Sequence, residues 1–301
     1  MYQDYYHLNA DPFCLNPDPR FSYLHPSYKK AKNYMLFALN RGEGFLLITG
    51  KPGTGKTTLI KELVKELNQS RFKFSTLVTT QLEADDLLRS VAYSFDLPVE
   101  KMDKASVIEH LKRYLTNRHR QNRHSVLIVD EAQDLSERAM EELRLLTNLE
   151  LDDRPLLQIF LVGQPQLYDL LGSRSLDQLR QRITVAAAMQ PLCAGEIEEY
   201  VRCRLTVAGW QHDPKISKDI YPLIYQCSEG IPRRINQICS RLLLHGFVED
   251  RHALDLNDIN AVMKELSEEH LTDTYTILQP QSEPDREYVS YDLVADNKEL
   301  H

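Results

Sequence analysis

Residues Gly50 to Thr58 read Gly-Lys-Pro-Gly-Thr-Gly-Lys-Thr-Thr and fit Gly-x-x-x-x-Gly-Lys-[Ser/Thr] in full. Glycines at this density let a backbone wrap closely around an anion, with several N–H groups pointing inward. An apolar run, Phe45-Leu46-Leu47-Ile48, precedes the loop, and a helix-like stretch from Thr57 to Leu67 follows it. That strand–loop–helix context is what a phosphate-binding loop requires, and the helix that begins at Lys56 adds its positive dipole end. The residues predicted to cradle a nucleotide are Gly50, Pro52, Gly53, Thr54, Gly55, Lys56, Thr57 and Thr58. Lys56 would reach the β- and γ-phosphates, and the Thr57 hydroxyl would hold Mg²⁺.

A second stretch supplies what hydrolysis needs. Val126-Leu127-Ile128-Val129 reads as a buried strand that ends in Asp130-Glu131. Two adjacent carboxylates at the exit of an apolar strand are costly to bury without a cation. Beside a phosphate loop, Asp130 would orient Mg²⁺ and Glu131 would polarise the attacking water as general base. The plainer reading, a loop that merely opens a helix, leaves the complete upstream motif unexplained. The pair of motifs specifies an ATP site with Mg²⁺ as cofactor.

Four further positions fit an ATPase whose neighbouring subunits share the site. Gln164 follows the apolar run Leu156–Val162 and Gly163, where it could position water or the γ-phosphate; the alternative is a simple Gly-Gln-Pro turn. Arg180 and Arg182 precede the last strand, and one of them, with Arg182 preferred, could enter the next subunit's γ-phosphate region. Arg233, in Gly230-Ile231-Pro232-Arg233-Arg234, opens a helix whose Pro fixes the entry angle, aiming Arg233 or Arg234 back at the nucleotide. The cluster Arg118, His119, Arg120, Arg123 and His124 lacks interleaved aromatics and reads as a solvated helix end, not a nucleic-acid patch.

These groups need a scaffold. Residues 1–26 are rich in aromatics and proline, which predicts an extended arm that packs its rings on something, either the general surface or the adenine ring. Ser27–Arg41 reads as an amphipathic helix. Strands are predicted at Phe45–Thr49, Phe72–Val78, Ser125–Val129, Leu156–Val162 and Ile183–Met189. Helices are expected between them, including one opened by a capping box at Thr80 and Glu83, one over Ala105–His119 and one over Ser136–Leu149. Strands that alternate with helices and are apolar on both faces specify a parallel α/β sheet. After Pro191 the expected pattern is all-helical: Ala194–Val207, Ile216–Cys227, Pro232–Val248 and Asn257–Glu268. The expected division is an arm and helix over 1–43, an ATPase core over 44–192, a small helical lid over 193–270 and an acidic, disordered tail over 271–301.

Composition narrows the class. The 301 residues are 42% hydrophobic and 27% charged, ordinary for a soluble globular chain. The net charge of −8 is concentrated at the end, where nine acidic residues against two basic follow from Glu268. The body is therefore near neutral, which argues against nucleic acid as a partner. Five scattered cysteines show no Cys-x-x-Cys pair and fit reduced thiols in a cytoplasmic protein. No apolar run approaches the roughly 20 residues that span a bilayer, so membrane association is expected only through a partner.

Together the motifs resemble the AAA+ ATPases. PFCLNPDPRFSYL in the arm, RGEGFLLITGKPGTGKTTL and VDEAQDLSERAMEELRLLTNLE are similar to the ExeA/GspA-type secretion ATPases. LLQIFLVGQPQL, LDQLRQRI and EGIPRRINQICSRLLLHGF extend the likeness, most nearly to the branch associated with exosortase and exopolysaccharide loci. The resemblance implies a P-loop AAA+ fold, a five-stranded parallel sheet sandwiched by helices and followed by a small all-helical lid. It also implies Gln164 as sensor 1, Arg233 as sensor 2, a homo-oligomeric ring or partial ring, and a cytoplasmic motor or switch serving an envelope secretion, pilus or exopolysaccharide export system. Secretion-type relatives continue into a membrane span and a peptidoglycan-binding domain, whereas here an acidic tail follows the lid, which argues against direct peptidoglycan binding. Two rival roles are a nucleotide-gated switch with negligible turnover and a DNA-transposition helper; the near-neutral body and the lack of a helix-turn-helix extension argue against the second.

Overall fold

The computed structural model describes residues 1–67, 71–78 and 84–269. The capping box expected at Thr80 and Glu83, and the acidic tail, lie outside them. Five parallel strands form one sheet: β1 (Phe45–Gly50), β2 (Phe72–Val78), β3 (His124–Asp130), β4 (Gln158–Gly163) and β5 (Ile183–Met189), in the order β2-β3-β4-β1-β5. The register sets Thr49 beside Gly163 and Gly50 beside Met189, so the C-terminal ends of β1, β4 and β3 open side by side. Ligands on open parallel sheets bind beyond those ends.

Alternate residues of the central strands point to opposite faces, and both faces are dry. Phe45, Leu47, Leu127, Val129, Ile159 and Leu161 join helices α3 (Ala84–Ser94), α4 (Lys104–Arg120), α5 (Glu137–Leu146) and α6 (Gln166–Leu171) in one core. Leu46, Ile48, Val126, Ile128, Phe160 and Val162 meet α1 (Pro26–Arg41) and α2 (Lys56–Glu66) in another. Strands buried on both sides read as continuous apolar runs, which is why they were legible without alternation. Buried Glu62 of α2 accepts hydrogen bonds from Tyr28 Oη and Lys32 Nζ of α1, both at 2.6 Å, and so ties the two helices together.

The third core is unexpected in its membership. It combines α7 (Ile197–Val207), α8 (Ile220–Ser228), α9 (Pro232–Val248) and α10 (Leu256–Glu268) with Tyr2, Tyr6, Leu8, Phe13 and Phe21 of the arm. Tyr6 Oη donates to Arg251 O at 3.0 Å, Asn9 N to Ala208 O at 2.7 Å, and the Tyr5 ring stacks on His252. The arm also departs from the extended form expected of it, with a helical turn at Tyr2–Tyr5 and a 3₁₀ turn at Pro19–Phe21 capped by Asp18.

Three boundaries differ from expectation for local reasons. The helix predicted from Ile216 starts at Ile220, because Lys215–Ile216 pairs in parallel with Ala253–Leu254; strands therefore do not stop altogether at Pro191. The helix after Ser136 ends at Leu146, where the Thr147 hydroxyl donates to Arg144 O at 2.7 Å. The chain then enters a tight hairpin, Glu150–Leu151 against Arg154–Pro155, whose turn residues Asp152 and Asp153 take φ of 51° and 60°. The fourth strand begins at Gln158, two residues later than read. Among the described residues no helix is long and apolar enough to cross a membrane.

Candidate functional site

The glycine loop leaves β1 and turns into α2, as its spacing predicts. Gly53 and Gly55 adopt φ of +82° and +96°, conformations that side chains resist. Buried Lys56 folds its ammonium back over the loop, donating to Gly50 O at 2.8 Å and Lys51 O at 3.3 Å. Thr54 Oγ1 braces the same turn through Lys51 O at 2.8 Å. Pro52, Gly53, Gly55, Lys56, Thr57 and Thr58 line one cleft together with Glu131.

The two acids stand at the end of β3, two strands from the loop. Burial pushes the Asp130 carboxyl above its ordinary pKa; the Glu131 N–H, which donates to Asp130 Oδ1 at 3.0 Å, and Lys56 oppose that rise, and the Glu131 charge adds to it. Burial pulls Lys56 down, while Glu131 and Asp130 pull it up. The oxygen donors available, Asp130 and the Thr57 hydroxyl, are those that Mg²⁺ prefers when phosphates complete its shell. Among the described residues no three His, Cys, Asp or Glu side chains could hold a metal, so a magnesium ion here would rely on the nucleotide.

Glu131 sits in the left-handed region at φ 52°, an unusual conformation for a residue with a side chain. Its carboxylate is held by two amides. Gln133 Nε2 donates to Glu131 Oε2 at 2.9 Å and Gln164 Nε2 to the same oxygen at 3.4 Å, while Gln133 Oε1 accepts from Gln164 N at 2.9 Å. Gly163 leaves just the room that Gln133 needs, since an added Cβ would stand 2.6 Å from its Oε1. Gln164 is thus brought to the acids. Gln133, within the stretch VDEAQDLSERAMEELRLLTNLE, was given no role by sequence reasoning; its place two residues beyond Glu131 was the signal available.

The arginines separate clearly. Arg233 lines the cleft, and its backbone N–H donates to Gly53 O at 3.2 Å. Arg234 instead faces exposed Glu229 at 3.6 Å, which also meets Lys51 at 3.3 Å. Arg180 and Arg182 lie at the N-terminal end of β5, where Arg182 O accepts from Phe45 N. A strand length, roughly 20 Å, separates them from the loop at the other end of the sheet, so neither reaches the cleft of its own chain. Arg180 pairs with Asp177 at 2.6 Å, and Arg182 Nη1 donates to Thr147 Oγ1 at 2.8 Å. In the basic cluster, Arg118 joins the end of α4 to β3 through Ser125 Oγ at 3.2 Å.

The far wall of the cleft was missed by sequence reasoning in all but outline. Cys14 to Asp18 of the arm form one part of it, and Tyr200, Arg204, Pro232, Arg233 and Asn236 of the C-terminal helices another. The arm's aromatics thus bury among the C-terminal helices, and its middle stretch lines the cleft beside the glycine loop.

Residues 39–171 match the family model of an AAA domain. The chain is 36% identical over 268 residues to general secretion pathway protein A of Aeromonas hydrophila; the match takes in 89% of this chain and 49% of that one. The chain spans about half the length of that curated relative. Among solved structures, the Aeropyrum pernix ORC2 protein in its ADPNP–ADP complexes superposes with a TM-score of 0.67 at 16% identity, over 89% of this chain and 73% of that one. Cdc6p of Pyrobaculum aerophilum gives 0.63 at 18% identity over 84% and 73%. The RuvB Holliday junction branch migration motor of Thermotoga maritima gives 0.54 at 19% over 80% and 68%. At such identities these likenesses concern the fold alone. The five-stranded sheet, the loop and the strand-end acids are those of the P-loop AAA fold, with an AAA domain matched over residues 39–171 and sequence similarity to a secretion-pathway protein A over most of this chain.

Proposed function

We propose that this chain binds and hydrolyses ATP with Mg²⁺, as an oligomeric AAA+ motor or switch serving a bacterial export or envelope-assembly system of the ExeA/GspA type. The observation that carries the reading is Glu131, set in the cleft with the glycine loop and held by Gln133 and Gln164. The proposed division is the arm and first helix over 1–43, the core over 44–192, the lid over 193–270 and the tail over 271–301. Lys56 and the loop N–H groups bind the phosphates, and Thr57 and Asp130 would hold Mg²⁺, which supplies charge neutralisation on the β- and γ-oxygens. Glu131 takes the proton of the attacking water, and Gln164 positions that water. Arg233 reports the nucleotide to the lid, and Arg182, or Arg180, completes the site of a neighbouring subunit. Likeness to general secretion pathway protein A supports the export role, with the exosortase and exopolysaccharide branch as the finer reading. The membrane would then be met through a partner, from the cytoplasmic side.

One feature favours a second reading as a gated switch with little turnover: Glu131 Oε2 already accepts two amide hydrogen bonds. Steady-state phosphate release by purified oligomer separates the two. Glu131→Gln is expected to keep ATP binding while turnover collapses by roughly 10²–10⁴-fold, the range of general-base catalysis. Hydrolysis by this variant at the wild-type rate would remove Glu131 from its role.

A further inference from the structure

The wall of the cleft opposite the glycine loop holds a line of buried polar groups that hydrolysis leaves unused. Arg204 of α7 is 8% exposed and lies over two rings, 5.2 Å from the Phe21 centroid and 5.6 Å from that of Tyr200. Its Nε donates to Pro12 O at 2.6 Å, and its Nη1 to Phe21 O at 3.4 Å and to Tyr200 Oη at 3.2 Å. A guanidinium has donors only and keeps its proton. Tyr200 Oη must therefore accept from it, and the hydroxyl proton is left to donate onward to Asn236 Oδ1 at 2.8 Å. The chain of donors fixes the amide: Oδ1 faces Tyr200 and Nδ2 faces away.

Asn236 is 7% exposed and lines the cleft. Its Nδ2 has no hydrogen-bond partner among the described residues. A buried N–H₂ without an acceptor is costly enough that such groups point to a ligand. Its place says which part of the ligand. Arg233, three residues earlier on α9, has its N–H on the loop carbonyl of Gly53. Asn236 therefore stands about 4.5 Å further along the helix axis from that contact with the glycine loop and on the same face, in the cleft wall that also holds the arm stretch Cys14–Asp18.

We propose that Asn236 Nδ2 donates to an unprotonated ring nitrogen of the bound purine, held in that orientation by the Arg204–Tyr200 relay. The inference rests on the reading of the cleft as an ATP site, and adds to it the group that recognises the base. Because the relay begins at carbonyls of the arm, the arm and the lid must be docked for the amide to be aimed.

The test compares equilibrium binding of ATP with its 1-deaza, 3-deaza and 7-deaza forms and with 2′-deoxy- and 3′-deoxy-ATP, in the presence of Mg²⁺. On the wild-type protein one deaza analogue is expected to bind roughly five- to tenfold more weakly than ATP, the loss of one hydrogen bond to a buried donor. That penalty should vanish in Asn236→Ala, whose fold is checked by thermal unfolding. Asn236→Asp, which turns the donor into an acceptor, should weaken ATP more than alanine does. The proposal is overturned if all three deaza forms bind the wild type as ATP does, if the penalty persists in Asn236→Ala, or if the variant cancels a penalty only of the deoxyribose analogues. The wild-type series does not depend on any variant folding. A wild-type protein that binds ATP but shows no deaza effect sinks this inference alone, whereas one that binds no ATP sinks the nucleotide reading beneath it.

Discussion

Replacing Gln133 by alanine tests how Glu131 is kept in place. The side chain makes two bonds: Nε2 to the Glu131 carboxylate and Oε1 from the Gln164 N–H, each at 2.9 Å. A hydrogen bond to a charged group contributes about 1.5–3 kcal/mol. If that energy holds Glu131 in its left-handed conformation only while water is being activated, its loss converts to about 10–100-fold in turnover. Gln133 does not line the cleft proposed for the nucleotide, so Mg²⁺-ATP affinity should stay near wild type. Phosphate release at saturating ATP, beside a binding isotherm on the same sample, reads both quantities. Gln133→Glu keeps an oxygen for Gln164 N but sets a second carboxylate against Glu131, and should lose at least as much rate for less loss of stability. Turnover unchanged in Gln133→Ala would refute the argument. A parallel fall in affinity would instead make Gln133 a support of the pocket as a whole.

Other substitutions probe separate parts. Arg182→Ala should lose turnover yet recover it when mixed with Lys56→Ala subunits that supply the arginine; no recovery counts against a shared site, or moves the role to Arg180. Gly53→Ala forces a Cβ to within 2.7 Å of Arg233 Cβ and 3.1 Å of Ile231 Cγ2 at a φ of +82°. It should part the lid from the loop and cost about tenfold or more in ATP affinity, and unchanged affinity would show that their contact is dispensable. Burial raises the Asp130 pKa above its unfolded value, so its charge costs stability at neutral pH, and the cost is relieved as pH falls through the raised value. Asp130→Asn should therefore melt higher than wild type near pH 7 without nucleotide, by about 2–4 °C for each kcal/mol, with the gain fading toward pH 4. A wild type that melts at or above the variant at neutral pH would contradict that sign.

What could be read from the chain followed from how local each constraint is. The glycine loop and Asp130-Glu131 are short, and their chemistry is contained in their own spacing, so both were legible. The central strands were legible because β1, β3 and β4 are buried on both faces and contain little but large apolar residues. The start of α8 was not, because Lys215–Ile216 is drawn into a pairing with Ala253–Leu254 far along the chain. The same holds for the cleft wall. Tyr200, Arg204 and Asn236 look like ordinary residues of amphipathic helices until the arm's Pro12 and Phe21 carbonyls are placed against them. That Arg233 and not Arg234 lines the cleft likewise follows from the position of Gly53, which no local pattern supplies.

The shared core of the arm and the last four helices bears on the order of assembly. Tyr6 and Arg251, joined by a hydrogen bond, are 245 positions apart. During synthesis the sheet can complete while Tyr2, Tyr6, Phe13 and Phe21 still lack the surface that covers them, since α7 to α10 emerge last. Closing so long a loop is a late and slow step compared with forming the strand–helix units between. A nascent chain halted before α9 would thus carry a finished sheet and a set of bare aromatic rings, a natural handle for chaperones.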